Sequence, residues 1–196
     1  MKDAFGRTIE YLRLSVTDRC NLRCRYCMPD VVVGSVGPDQ GMASEEMDRV
    51  AAAAVRLGVN KIRVTGGEPL VRRGLVNFIE TLAHLPGPPE LVLTTNGLLL
   101  AEYAERLQAA GLDRVNVSLD TLREDRFDHL TRRHGLPQVL AGIEAAEKVG
   151  LNPIKVNMVP IRDVNEDEIA DFAGLTLEHR WDVRFSEFMP VRSDLG

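Results

Sequence analysis

Lys61-Ile62-Arg63-Val64-Thr65-Gly66-Gly67 alternates strictly: Ile62 and Val64 fall on one side, Arg63 and Thr65 on the other, and two glycines close the run. A period of two marks a strand with one apolar and one polar face. The pattern recurs along the chain. Leu12, Leu14 and Val16 oppose Arg13, Ser15 and Thr17; Val115, Val117 and Leu119 oppose Asn116, Ser118 and Asp120; Ile154, Val156 and Met158 oppose Lys155 and Asn157. Strand-like runs number six, at 9–16, 61–65, 91–95, 114–119, 153–159 and 183–188.

Helical signals separate most of these runs. Ser44 reads as an N-cap for 45–57, with Gly58 as C-cap. Leu75, Phe78, Ile79 and Leu82 stand at i, i+3, i+4 and i+7. Further helices are expected at 101–110, ending at Gly111, and at 138–149, ending at Gly150. Asn165 with Glu168 resembles a capping box opening a fifth. The segment 31–42 is Gly-rich and reads as a loop. Repeated β–α alternation implies a parallel sheet with right-handed crossovers.

Strands covered on both faces are near-continuously apolar, and a closed (βα)8 barrel fills its interior with Val, Ile and Leu. A polar second face fits neither. The expectation is therefore α/β: a partial (βα)6 TIM-like barrel of parallel strands whose polar inner face lines a ligand hollow. A Rossmann-like open sheet is the alternative, although Gly66-Gly67 is no G-x-G-x-x-G fingerprint and no P-loop is present.

Composition narrows the class. The 196 residues are 44% hydrophobic and 27% charged, as in soluble globular domains. With 24 Lys+Arg against 29 Asp+Glu the net charge is −5, unlike the basic balance of a nucleic-acid binder. No apolar run approaches the ~20 residues of a membrane span. The N-terminus lacks an apolar signal-peptide core. A cytoplasmic protein acting on neither membrane nor nucleic acid is expected.

All three cysteines lie in Cys20-Asn21-Leu22-Arg23-Cys24-Arg25-Tyr26-Cys27. An odd number cannot pair fully as disulfides, and structural zinc normally takes four protein ligands. Three thiolates in a C-x-x-x-C-x-x-C loop suit an iron–sulfur cube with one iron left for an outside ligand; zinc and ordinary thiols remain alternatives. Arg19, Arg23 and Arg25 are expected to favour the thiolates.

This cysteine loop after a first strand, with Tyr26 before its last cysteine and Gly66-Gly67-Glu68-Pro69 after the second strand, resembles the radical S-adenosylmethionine enzymes. The stretches 12–20, 62–72, Thr94-Thr95-Asn96-Gly97, Asn116-Val117-Ser118-Leu119-Asp120 and Glu187-Phe188-Met189-Pro190 resemble the GTP 3′,8-cyclase family of molybdenum cofactor biosynthesis. The resemblance implies a [4Fe–4S] cluster on Cys20, Cys24 and Cys27. It implies S-adenosyl-L-methionine against Tyr26, Gly67, Ser118 and Met189, and GTP facing Arg13, Arg63, Thr94 and Lys155. Arg72 and Arg73 would be further cations near the mouth. It also implies an electron donor and a homodimer as partners.

Parity places Arg13, Arg63, Ser118 and Lys155 on the polar faces independently of the resemblance. Gly66-Gly67 would let the backbone approach a ligand closely. Thr94 and Ser118 read equally well as ordinary strand hydroxyls, and Met189 by default as core filling. The implied reaction is reductive cleavage of S-adenosylmethionine to a 5′-deoxyadenosyl radical. That radical takes hydrogen from C3′ of GTP, and closure onto C8 gives (8S)-3′,8-cyclo-7,8-dihydroguanosine 5′-triphosphate. The family's usual protein continues with a second three-cysteine cluster, whereas no cysteine follows Cys27. One radical SAM core domain over 1–196 is therefore expected, without the C-terminal second-cluster domain and with cyclisation impaired. Another radical enzyme acting on a peptide or small molecule, and a non-catalytic metal-binding domain, are the competing readings.

Overall fold

The computed structural model describes residues 2–27 and 42–189. Six strands form one sheet in chain order: β1 Tyr11–Ser15, β2 Lys61–Thr65, β3 Glu90–Thr95, β4 Arg114–Ser118, β5 Ile154–Met158 and β6 Trp181–Phe185. Every neighbouring pair is parallel. Among the described residues β1 and β6 do not meet, so the sheet is an open partial barrel. The helices are α1 Ser44–Arg56, α2 Leu75–Ala83, α3 Leu100–Ala109, α4 Glu124–Thr131, α5 Leu136–Lys148 and α6 Ile169–Glu178. Short 3-10 turns stand at Pro69–Val71 and Glu166–Glu168.

Alternation along each strand sorts the two faces. Ile62, Val64, Leu91, Leu93, Val115, Val117, Ile154 and Val156 are fully buried on the outer face. Helix residues at turn spacing share one core with them: Met47 and Ala51, Phe78 and Leu82, Leu100 and Leu107, Val139 and Ile143, then Phe172. Each of these side chains larger than alanine contributes about 1.5–3 kcal/mol by leaving water. The inner face carries Arg13, Arg63, Thr94, Arg114, Asn116, Lys155 and Arg184, with Val92 as an apolar exception.

Several local expectations are corrected. Ser44 is not the N-cap of α1. Ala43 holds that place, and the Glu46 carboxylate accepts its backbone N–H at 2.8 Å. Asn165 and Glu168 do not form a capping box. Asn165 accepts from Ile161 N and donates to the Asp120 and Val159 carbonyls, and Glu168 accepts from Thr121, Leu122 N and Arg126. Both residues tie the ends of β4 and β5 to the turn before α6. The helix α4 was not expected; its polar sequence EDRFDHLT buries only Phe127, Leu130 and Thr131. The strand β6 begins two residues before the expected start and ends at Phe185. Apart from Met42, the loop expected at 31–42 lies outside the described residues.

Candidate functional site

The carboxyl ends of all six strands open on one edge of the sheet, where parallel α/β folds gather their functional loops. The loop after β1 carries the cysteines, and the loop after β2 holds it in place. Gly67 N donates to Thr17 O at 2.7 Å and Glu68 N to Arg19 O at 2.7 Å. A Cβ on Gly66 would lie 2.5 Å from Thr17 O, and one on Gly67 would lie 2.3 Å from Arg19 O. The glycine pair is thus needed so that two backbones can touch. The space a side chain would fill here is taken by the backbone of the cysteine loop.

Glu68 is buried at 1% exposure and clamps the next strand end. Its carboxylate accepts from Leu70 N at 3.0 Å, Thr95 Oγ1 at 2.7 Å and Asn96 N at 2.7 Å. Asn96 in turn donates from Nδ2 to Asn21 Oδ1 at 2.7 Å and reaches Cys20 Sγ at 3.8 Å. One continuous polar chain therefore runs from the Gly-Gly-Glu turn to the first cysteine.

On the far side, Arg23 N and Arg25 N donate to the Thr131 and Leu130 carbonyls, lacing the cysteine loop to the end of α4. The Tyr26 hydroxyl donates to the half-buried Asp120 carboxylate, which also accepts Val159 N at 2.9 Å. Tyr26 is thereby locked to the ends of β4 and β5.

Cys20 and Cys24 are partly buried and Cys27 is exposed. Burial pushes the Cys20 thiol up, aided by Glu68 and Cys27. Burial likewise pushes Cys24 up to about 12, aided by Asp120 and the other two cysteines. The expected lowering by the arginines is not seen at Cys20 or Cys24, and Arg25 turns its guanidinium to the His129 carbonyl at 2.8 Å. Among the described residues no group of three His, Cys, Asp or Glu closes on a single metal ion. A cube takes one cysteine per iron and does not ask for that convergence.

Below this edge lies the cationic inner face. Arg13 and Arg63 are register partners on β1 and β2, and Arg63 stacks over the Tyr11 ring at 5.4 Å. Burial, then the like charges of Arg13, Arg114 and Arg184, push the Arg63 guanidinium down from its ordinary value. Lys155 donates to Asp182 at 2.5 Å, while Glu90 takes both Lys61 at 2.7 Å and Arg114 at 2.5 Å. Three inner-face atoms have no partner although buried: Arg63 Nε, Thr94 Oγ1 and Asn116 Nδ2. A buried donor left unpaired costs about 1–3 kcal/mol. The three stand on the adjacent strands β2, β3 and β4, and each calls for a partner that the described residues do not supply.

The other expected site residues are more dispersed. Ser118 is exposed at the end of β4. Met189 is 75% exposed beyond β6, so its default reading as core filling is overturned. Arg72 donates to the Val16 carbonyl and to Ser44 Oγ, joining the carboxyl end of β1 to the start of α1. The Pro190 end of the last motif lies outside the described residues.

The model of the radical SAM superfamily matches residues 14–176. The chain belongs to the radical SAM superfamily. Two curated relatives carry the name GTP 3′,8-cyclase. That of Peptoclostridium acidaminophilum is 54% identical over 191 residues, covering 97% of this chain and 59% of the relative. That of Geobacter sulfurreducens is 54% identical over 189 residues, covering 96% and 58%. The chain thus spans about three-fifths of the length of these relatives. Among solved structures, Streptococcus suis SuiB bound to S-adenosylmethionine superimposes with a TM-score of 0.74 at 17% identity. It covers 94% of this chain and 40% of SuiB, and this likeness is one of fold. No helix among the described residues is long and apolar enough to cross a membrane.

The cofactors of the superfamily are a [4Fe–4S] cluster and S-adenosylmethionine. The donor set suits them in kind: three thiols on one loop, two partly buried and the third exposed. The sequence pattern pointed to this loop. It did not reveal the supporting shell of Glu68, Asn96 and Asp120, nor the counter-ions Glu90 and Asp182. Their signal was an acidic or amide residue placed directly at a strand end, which has many bland explanations.

Proposed function

We propose that the chain is the cofactor-binding and triphosphate-facing part of a GTP 3′,8-cyclase. The observation that carries it is the set of unpaired inner-face donors, Arg63 Nε and Thr94 Oγ1, beside the further cations Arg13 and Lys155. A triphosphate supplies many anionic oxygens, and guanidinium groups bind them bidentately. The 54% identity to proteins named GTP 3′,8-cyclase supports the same reading.

In this proposal Cys20, Cys24 and Cys27 hold the cluster, and Tyr26, Gly67, Ser118 and Met189 border S-adenosylmethionine. When bound, these groups supply a carbon radical able to take a hydrogen atom from the ribose. The chain's own residues orient the reactants. Tyr26 is fixed by Asp120, and the Gly66-Gly67 turn is fixed against Thr17 and Arg19, so the rim of the site is rigid before any ligand arrives. Arg13, Arg63, Thr94 and Lys155 grip the nucleotide from below, with Lys155 exchanging Asp182 for phosphate. Residues 1–196 constitute one core domain. An electron donor and a second copy of the chain are the partners, in the cytoplasm.

The test is anaerobic reconstitution with iron and sulfide, followed by titration with GTP and reductive cleavage of S-adenosylmethionine. A brown protein that releases 5′-deoxyadenosine is expected. Arg63→Ala and Lys155→Ala should each weaken GTP binding about 10-fold or more, the worth of a charge-assisted hydrogen bond. Unchanged GTP affinity in both variants would favour a radical enzyme for a different substrate. Colourless protein holding one zinc would favour a metal-binding domain.

A further inference from the structure

Of the three unpaired donors on the inner face, two belong to residues already given to the nucleotide. The third is Asn116 Nδ2, on β4. Asn116 is 0% exposed. Its register partners are Thr94 on β3 and Lys155 on β5, so it stands between two of the proposed GTP contacts. Its Oδ1 faces the Arg114 guanidinium, with Nη1 at 3.4 Å, which fixes the amide orientation: the oxygen meets the donor and the amino group points the other way. Packing alone does not ask for an amide here. Val92, on the same face of the neighbouring strand, is equally buried and apolar, and β-branched residues suit such positions.

All three unpaired groups can donate, and Arg63 Nε and Asn116 Nδ2 can only donate. The missing partner is therefore a ligand rich in acceptors. Its charged neighbours Arg114 and Lys155 are held by Glu90 and Asp182 at 2.5 Å each. A polyanion would compete for both cations, and binding at the fully buried amide requires that they give way. We propose that Asn116 is a further substrate-binding residue whose Nδ2 donates to a phosphate oxygen of the nucleoside triphosphate between Thr94 and Lys155. This assignment rests on the GTP reading above.

Titration calorimetry of the whole chain with GTP, inorganic tripolyphosphate and S-adenosylmethionine tests it. Asn116→Val removes the donor in a side chain suited to a strand. It is expected to keep or raise the melting temperature of the ligand-free protein. It should weaken GTP and tripolyphosphate 5- to 30-fold and leave S-adenosylmethionine within 2-fold. Asn116→Asp keeps the shape and the contact with Arg114 but presents an anion; its loss of GTP affinity should exceed that of Asn116→Val. GTP affinity unchanged in both variants, or S-adenosylmethionine binding lost in parallel with GTP, overturns the assignment. A wild-type chain that binds no GTP overturns the GTP reading and the assignment with it; wild-type binding with unaffected variants overturns the assignment alone.

Discussion

Glu68 accepts three hydrogen bonds where water does not reach: from Leu70 N, Thr95 Oγ1 and Asn96 N. Burial pushes its carboxyl above the ordinary value, and the three donors oppose that. Truncation would leave three buried groups without an acceptor. Glu68→Ala is expected to lower stability by about 3 kcal/mol or more, and Glu68→Gln, which keeps one acceptor, by about 1–2. Urea denaturation measures both, and near-equal losses would show that the backbone re-pairs with water. The same residue shows what a lone sequence conceals. Cys20, Cys24 and Cys27 announce themselves by spacing, and Arg63 and Lys155 by parity. A glutamate after two glycines carries no sign that it clamps the next strand, because its partners lie 27 and 28 positions away.

At the scale of elements, helix ends were legible where glycine marks them. Gly111 closes α3 at φ +93 and Gly150 closes α5 at φ +85. The two positions differ in their surroundings. A Cβ on Gly111 would lie 2.6 Å from the Ala83 Cβ at the end of α2, whereas one on Gly150 meets nothing within 4 Å. Gly150→Ala should cost only the left-handed backbone, about 1 kcal/mol. Gly111→Ala should cost at least 1 kcal/mol more, because α2 and α3 must separate. Thermal melts of the two variants give the difference directly, and equal losses would mean that α2 yields freely. Helix α4 escaped notice for a related reason. It is polar on most sides, and its task is to offer the Leu130 and Thr131 carbonyls to the cysteine loop, which no periodicity records.

Over the whole molecule, the inner face sets charge against charge. Lys155 holds the Asp182 carboxyl below its ordinary value of 3.8. For Glu90, burial works upward but Lys61 and Arg114 outweigh it, and the carboxyl stays below its ordinary 4.5. A depressed carboxyl stabilises the fold fully above its unfolded value, and that contribution is lost as pH falls through the folded value. The protein should therefore lose these two contributions below about pH 4. The effect of Asp182 is small, since its side chain is 50% exposed. Melting temperatures from pH 6 to pH 3 should fall less steeply in Asp182→Asn than in the wild type, and parallel curves would assign the acid loss elsewhere. Strand alternation made the open barrel and its polar lining readable from sequence. It did not disclose that the lining is half neutralised, because Glu90 and Asp182 occupy ordinary strand positions and meet their cations only when neighbouring strands align.

The order of the sheet bears on how the molecule is made. Each strand lies beside the one synthesised just before it, from β1 through β6. A chain emerging from the ribosome can thus add its β–α units one at a time, each new strand docking on an edge already present. No early segment must wait unpaired for a distant mate, so the interval in which sticky surface is bare stays short.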